Sequence, residues 1–283
     1  MQRPLLPVFI SAALVFTAYV ALVQFMPFRV EKGQNQGDTN MIRAQDYLAK
    51  PNSDTVLVGS SLTFRLPPRV LGSRITNLAI AGGAPATGLA LIEHSSTRPK
   101  LVLIEVNLLS RAADMAAVQS LLRFPELQLR GRLRAFRTGY DPVNVTERAI
   151  QALLHKDDED LVPPPDTIRW LIADEQQTMS HPPDADSLSN NLAQTAALVT
   201  TLQARGIRVG FFEMPIDASL VDLPAEKTLR KEVVQRFPLN RFCWLKLSVP
   251  GGARTLDGIH LMRGDAALIA RQIVDQRAAC LMP

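Results

Sequence analysis

From Pro4 to Phe28 the chain reads PLLPVFISAALVFTAYVALVQFMPF, a run of 25 residues without a charge. At a rise of about 1.5 Å per residue such a run reaches past the roughly 30 Å hydrocarbon core of a bilayer. In lipid only a helix satisfies its own backbone over that distance, so a single transmembrane helix is expected here. A cleaved signal peptide has a shorter apolar region and ends in a small-x-small site. This run ends VQFMPFRV instead, which points to an uncleaved anchor. Arg3 precedes it and Arg29, Glu31 and Lys32 follow, so the flanking charges leave its orientation open.

The remainder of the 283 residues must bury a core of its own. A content of 47% hydrophobic and 20% charged residues fits a globular domain attached to an apolar segment. The net charge of +4 is modest and the Lys and Arg residues are scattered, which argues against a nucleic-acid partner. One cluster, RGRLRAFR from Arg130 to Arg137, reads as a solvated helix face in preference to a polyanion or lipid-headgroup contact. Cys243 and Cys280 lie in no CxxC pair, so one disulfide and two buried thiols are both open. His94, His155 and His181 lack ligand spacing, and DDED at 157–160 reads as a solvated loop; no metal and no cofactor are expected.

After the anchor at 1–30, a linker and short helix occupy 31–53: EKGQNQGDTN is polar, and Met41 to Ala49 is amphipathic up to Lys50 and Pro51. Strand-like runs follow at Thr55 to Val58, Ile75 to Ile80, Lys100 to Asn107, in IRVGFFEMP from Ile207, and in RFCWLKLSV ending at Val249. Helical patterns at Pro85 to Ser96, Asp184 to Gly206, Ala225 to Phe237 and Ala266 to Ala279 alternate with them. That alternation predicts an α/β domain with a parallel sheet over 54–283. The interval from about 110 to 183 shows no convincing strand and reads as a helical insertion that either shapes a cleft or covers the sheet.

In an open parallel sheet the working residues lie beyond the carboxyl ends of the strands. Here those ends carry Gly59-Ser60-Ser61, then Gly82-Gly83, then Asn107, and near the C-terminus Asp257 and His260 in TLDGIHL. A serine hydroxyl is a poor nucleophile until an imidazole takes its proton, and a carboxylate must hold that imidazole in the right tautomer. Ser61, His260 and Asp257 are the candidate catalytic residues. The backbone N–H groups of Ser61 and Gly82 and the Asn107 side-chain amide are the candidate oxyanion donors.

The blocks GSSLT, NLAIAGG, VLIEVN and LDGIHL, in that order, resemble the SGNH (GDSL-type) hydrolase superfamily, whose blocks supply Ser, Gly, Asn and His. The resemblance covers about Asp54 to Asn107 and Ile207 onward, and it implies a flavodoxin-like three-layer parallel sheet. It also implies that Ser61 is the nucleophile, that Gly82 and Asn107 complete the oxyanion hole, and that Asp257 and His260 complete the triad. Two departures stand out. Ser60 replaces the usual Asp of Gly-Asp-Ser, a change shared by membrane-associated relatives that modify polysaccharides. In EVNL, Glu105 and Leu108 replace the outer Gly and Asp of the third block, and Glu105 places an acid near the oxyanion site, where a charge is costly unless paired or solvated.

By family analogy the resemblance implies a membrane-anchored serine esterase or O-acyltransferase at the inner (plasma) membrane, with its domain in the periplasm. It would transfer acyl, typically acetyl, groups of a polysaccharide or cell-envelope glycan beside a membrane-bound O-acyltransferase. A plain esterase or lipase, and a non-catalytic assembly subunit of an exopolysaccharide complex, are the alternatives.

Overall fold

A computed structural model describes residues 5–27, 29–49, 53–153 and 162–282. In chain order its elements are α1 (Leu5–Phe25), α2 (Gln36–Ala49), β1 (Thr55–Val58), α3 (Ser61–Phe64), α4 (Pro68–Leu71), β2 (Ile75–Asn77), α5 (Pro85–His94) and β3 (Leu101–Glu105). Then come α6 (Met115–Leu122), α7 (Glu126–Arg132), α8 (Pro142–Leu153), α9 (Pro165–Met179), α10 (Ala185–Ala204), β4 (Arg208–Phe212), α11 (Pro224–Arg236), β5 (Cys243–Leu245) and α12 (Arg263–Gln276). They divide into two compact units, one of residues 1–50 with 119–158, the other of 51–118 with 159–283. The stretch HKDDED with His155 lies outside the described residues.

The larger unit is built on five parallel strands in the order β2-β1-β3-β4-β5. Because β2 lies on one side of β1 and β3 on the other, the winding reverses there, which is where sheets of this kind place their ligand sites. Leu57, Leu101, Leu103 and Phe212 point to one face and pack with Ala266, Ile269, Ala270 and Ile273 of α12. On the opposite face α5 packs on β1, α10 packs on β4, and the two helices touch each other. Strands covered on both faces read as unbroken apolar runs, which is why TVLV and LVLI were legible without alternation.

Arg205, just past α10, donates to the carbonyl oxygens of Ile92, Glu93, Ser95 and Thr97 and so ties down the end of α5. Around β4, the ring of Phe211 stacks on Phe237 at 4.6 Å and on Trp244 at 5.3 Å. Cys243 in β5 and Cys280 after α12 form a disulfide, which decides between the two alternatives that spacing left open. Gly210 lies beneath it: a Cβ there would come within 3.2 Å of the Cys280 sulfur.

Two expected boundaries change for identifiable reasons. The second strand stops at Asn77 because the Asn77 side chain turns back, its Nδ2 donating to Thr63 O (2.7 Å) and its Oδ1 accepting from Ala79 N (3.1 Å). Leu78 and Ile80 still donate to Leu57 O and Gly59 O, so the chain runs alongside β1 without regular strand geometry. The linker expected over 31–40 gives way to α2 from Gln36, where Asn35 Oδ1 accepts the Asp38 N–H at 2.9 Å in the manner of a helix cap.

In the smaller unit α1 is long and apolar enough to cross a membrane, and its first turns present Leu6, Phe9 and Val15 fully outward. Residues 132–140 grip its last turns. Tyr19 Oη donates to Tyr140 O (2.5 Å), Arg134 Nη1 donates to Met26 O (2.8 Å), and Arg134 N donates to Gln24 Oε1 (3.1 Å). The RGRLRAFR cluster is therefore not one solvated helix face. α7 ends at Arg132, a 3-10 turn spans Arg134–Phe136, and the buried Arg137 donates its Nε to Arg130 O at 2.6 Å.

Candidate active site

β1 delivers the chain into the turn Gly59-Ser60 and then into α3, whose first residue is Ser61. Ser60 is the helix cap: its Oγ accepts the Leu62 N–H at 3.2 Å. As the first helical residue, Ser61 has a backbone N–H with no intrahelical acceptor, which leaves it available as a donor. Under this turn lies Glu105, the last residue of β3 and fully buried. Its Oε2 accepts from Ser60 N (3.0 Å), Thr63 N (3.1 Å) and Thr63 Oγ1 (2.6 Å), and its Oε1 accepts from Ser60 Oγ (2.6 Å).

The carboxyl group expected to burden the oxyanion site is thus met by four donors and serves to shape the turn that presents Ser61. Gly59 is what lets Glu105 in. A Cβ there would stand 2.5 Å from Thr63 Cβ and 2.6 Å from Glu105 Oε2.

The second part of the site is a short closed loop before α12. Thr255 and Leu261 form an antiparallel bridge, Leu256 N donates to His260 O (2.8 Å), and Gly258 O accepts from Asp217 N (2.7 Å). Asp265, in the first turn of α12, braces the loop from below. It accepts the Arg254 N–H at 2.8 Å and pairs with the Arg254 guanidinium, which holds its carboxyl below the usual carboxylate range.

Within the loop Asp257 Oδ1 accepts from the backbone N–H of His260 (2.8 Å) and Ile259 (3.2 Å), and Asp257 Oδ2 faces His260 Nδ1 at 2.6 Å. Because a carboxylate only accepts, Nδ1 carries the ring hydrogen and Nε2 presents a lone pair. That lone pair faces Ser61 Oγ at 2.9 Å. Burial pushes the Asp257 carboxyl up, but the hydrogen bonds from the His260 ring and backbone outweigh it and hold the group below its ordinary value.

Asn107 sits two residues beyond β3 and is clamped at both ends by one residue: Oδ1 accepts Met214 N–H (2.7 Å) and Nδ2 donates to Met214 O (3.0 Å). The clamp fixes the amide plane and leaves the second Nδ2 hydrogen outside it. Gly82 follows β2 and has φ of +75°, a conformation that favours glycine. Since β2, β1 and β3 are adjacent and strands lie about 4.8 Å apart, the three loops carrying Gly82, Ser61 and Asn107 leave the sheet side by side. The structure thus joins Ser61, His260 and Asp257 in one hydrogen-bonded chain, with Gly82 five residues beyond β2 and Asn107 two residues beyond β3, the strands on either side of β1.

Helix α9 supplies a wall that motif reading missed. A Cβ at Gly258 would lie 3.6 Å from Ile172 Cγ1 and 3.8 Å from Glu175 Cβ. Burial, then the charges of Asp257 and Asp174, raise the Glu175 carboxyl above its ordinary value against the pull of His260 and Arg111. Nothing in the surrounding IADEQQ announces this placement, because it depends on where the insertion returns to the sheet. Comparison with family models, curated proteins and solved structures gives no match to this chain.

Proposed function

We propose that this chain is a membrane-anchored serine esterase or O-acyltransferase of the SGNH type, with a flavodoxin-like three-layer fold, acting on acyl groups of an extracytoplasmic glycan. The observation that carries the reading is the unbroken relay from Ser61 Oγ through the His260 ring to Asp257, with separations of 2.9 and 2.6 Å. Ser61 Oγ attacks the acyl carbonyl as His260 Nε2 takes its proton, and Asp257 stabilises the imidazolium that forms. The negative oxygen is received by the N–H groups of Ser61 and Gly82 and by Asn107 Nδ2. Collapse expels the first alcohol, which leaves with the proton from His260, and Ser61 keeps the acyl group as an ester. His260 then deprotonates water or a sugar hydroxyl, which takes the acyl group and frees Ser61.

The disulfide between Cys243 and Cys280 supports an oxidising compartment, and the apolar α1 supports attachment to the inner membrane facing the periplasm. The position of an anchored acyl carrier suits handover from a membrane-bound O-acyltransferase to a polysaccharide. The test is to treat the detergent-solubilised chain with a fluorophosphonate and map the adduct. Labelling at Ser61 is expected, lost in Ser61→Ala and slowed on the order of a thousandfold or more in Asp257→Asn, which leaves the geometry but spoils the tautomer. A folded chain that never labels at Ser61 would overturn the reading. Comparing release of p-nitrophenol from p-nitrophenyl acetate with and without an oligosaccharide acceptor separates hydrolysis from transfer.

A further inference from the structure

We propose that residues 119–153 form an arm that lies in the headgroup layer of an anionic phospholipid bilayer, beside the exit of α1. The inference rests on the reading of α1 as a membrane span and goes beyond the acyl-transfer chemistry. Its first support is height. α1 has 21 residues and is about 31 Å long, matching a hydrocarbon core of about 30 Å. Its hydrogen bonds and ring contacts with the arm fall in its last ten residues or just beyond them: Phe16 against the Phe136 ring, Tyr19 to Tyr140, and Val23, Gln24 and Met26 to Arg134. An arm bonded there is fixed at the exit of α1 through Arg134 and dips toward the acyl chains at Tyr140 and Phe136, whose contacts lie about 9 and 14 Å below the end of the helix, wherever the remainder of the protein goes.

The second support is chemistry. Aromatic rings and arginines are the side chains that settle at this boundary, rings at the headgroup level and guanidinium groups toward water. The arm carries six arginines against three acids. Arg123, Arg132 and Arg148 are exposed, although Arg123 also pairs with Glu126 at 2.7 Å. Alongside them Phe124 is 76% exposed, Val143 58% and Ile150 50%. Val143 and Ile150, seven residues apart, share one face of α8. Exposed apolar groups interleaved with basic ones describe an interfacial segment better than a surface facing bulk water.

The third support is continuity. Pro142, which opens α8, lines the same apolar groove of about 890 Å³ as Val8, Val15 and Tyr19 of α1. The arm therefore borders a surface that acyl chains would fill. Arginine clusters at such a boundary draw anionic headgroups, so the RGRLRAFR cluster, once divided between buried and exposed members, retains a role at the membrane.

The test uses the full chain, one copy per lipid nanodisc, with tryptophan placed at Leu14, Phe124, Val143 or Ile150 and the native chain as the blank for Trp170 and Trp244. Bromine atoms are carried near the headgroup end of the acyl chains or at their tails. Leu14→Trp is expected to be quenched by tail bromines, which reports the span. The three arm positions are expected to lose about half their emission to headgroup-end bromines, since an interfacial helix face sits about 5–10 Å into the boundary. The loss should be larger in discs containing phosphatidylglycerol than in phosphatidylcholine alone, and the triple change Arg123→Gln, Arg132→Gln, Arg148→Gln should erase that difference. A quenched Leu14→Trp with unquenched, acrylamide-accessible arm positions overturns the proposal and leaves the span intact. Arm positions shielded from acrylamide yet unquenched by bromine would mean that protein, not lipid, covers the arm, which also overturns it. Equal quenching in both lipids overturns the anionic assignment, and an unquenched Leu14→Trp removes the span on which the arm depends.

Discussion

Glu105 has no solvent exposure and four hydrogen-bond donors directed at its two oxygens. Its removal should therefore be felt twice. In Glu105→Ala the Ser60 and Thr63 groups lose their acceptor in a place water does not reach, a loss of about 3–5 kcal/mol by analogy with other broken buried networks. The thermal midpoint of the solubilised chain should fall steeply, and fluorophosphonate labelling of Ser61 should slow even below that midpoint, because the turn presenting it is no longer held. Glu105→Gln keeps the shape and one acceptor oxygen and should cost less on both measures. Sequence reading singled out Ser61, Asp257 and His260 as candidates by residue type and order, and the fold brings the three into one hydrogen-bonded chain. That reading left open whether Glu105 is paired, because the donors that satisfy this strand-end carboxyl arrive from a turn 42 and 45 residues away, and no local pattern reports that approach.

Helix α11 holds the element with the clearest pH dependence. Glu226, on its first turn, is buried, and burial followed by the charge of Glu213 pushes its carboxyl up to about 7. Arg230 opposes this, but its guanidinium is engaged by Glu213 at 2.5 and 3.1 Å and lies 4.0 Å from Glu226. The ordinary value of 4.5 applies in the unfolded chain. Between these two values the unfolded state has released a proton that the folded state keeps. Stability from this group is therefore full below pH 4.5 and declines as pH rises toward 7, by on the order of 3 kcal/mol. Measured at pH 5 and pH 8, the thermal midpoint of Glu226→Gln should gain on that of the native chain at the higher pH. No such gain would show that Glu226 is already ionised in the fold. At this scale the strands buried on both faces were legible in place, β1 to the residue at Thr55–Val58, while β3 and β4 are shorter than the apolar runs that announce them. The four-residue helices α3 and α4 were not, since one turn leaves no periodicity to detect.

At the scale of the whole molecule, the disulfide closes a separation of 37 residues and ties the edge strand β5 to the turn after α12. Loop-closure entropy puts its contribution at about 4 kcal/mol, a large part of the 5–15 kcal/mol typical of a folded domain. Cys243→Ser, Cys280→Ser and the double variant should therefore lower the thermal midpoint by similar amounts, and dithiothreitol should do the same to the native chain. Three unequal drops would mean that packing of the individual sulfurs, not the cross-link, is what stabilises. The division of the chain was the least legible level. Residues 119–153 lie inside the stretch read as an insertion into the sheet domain, yet they group with α1 through contacts made a hundred residues away, such as Arg134 with Met26.

The distance along the chain between Ser61 and His260 is 199 residues. On the ribosome the Ser61 hydroxyl therefore emerges that far ahead of its acceptor, the His260 ring. The loop that carries that acceptor is braced by Asp265 on α12, so the last helix has to dock before the relay exists. Until α12 docks, a nascent chain holds Ser61 without the complete relay, so any chemistry that depends on the relay waits for the domain to close.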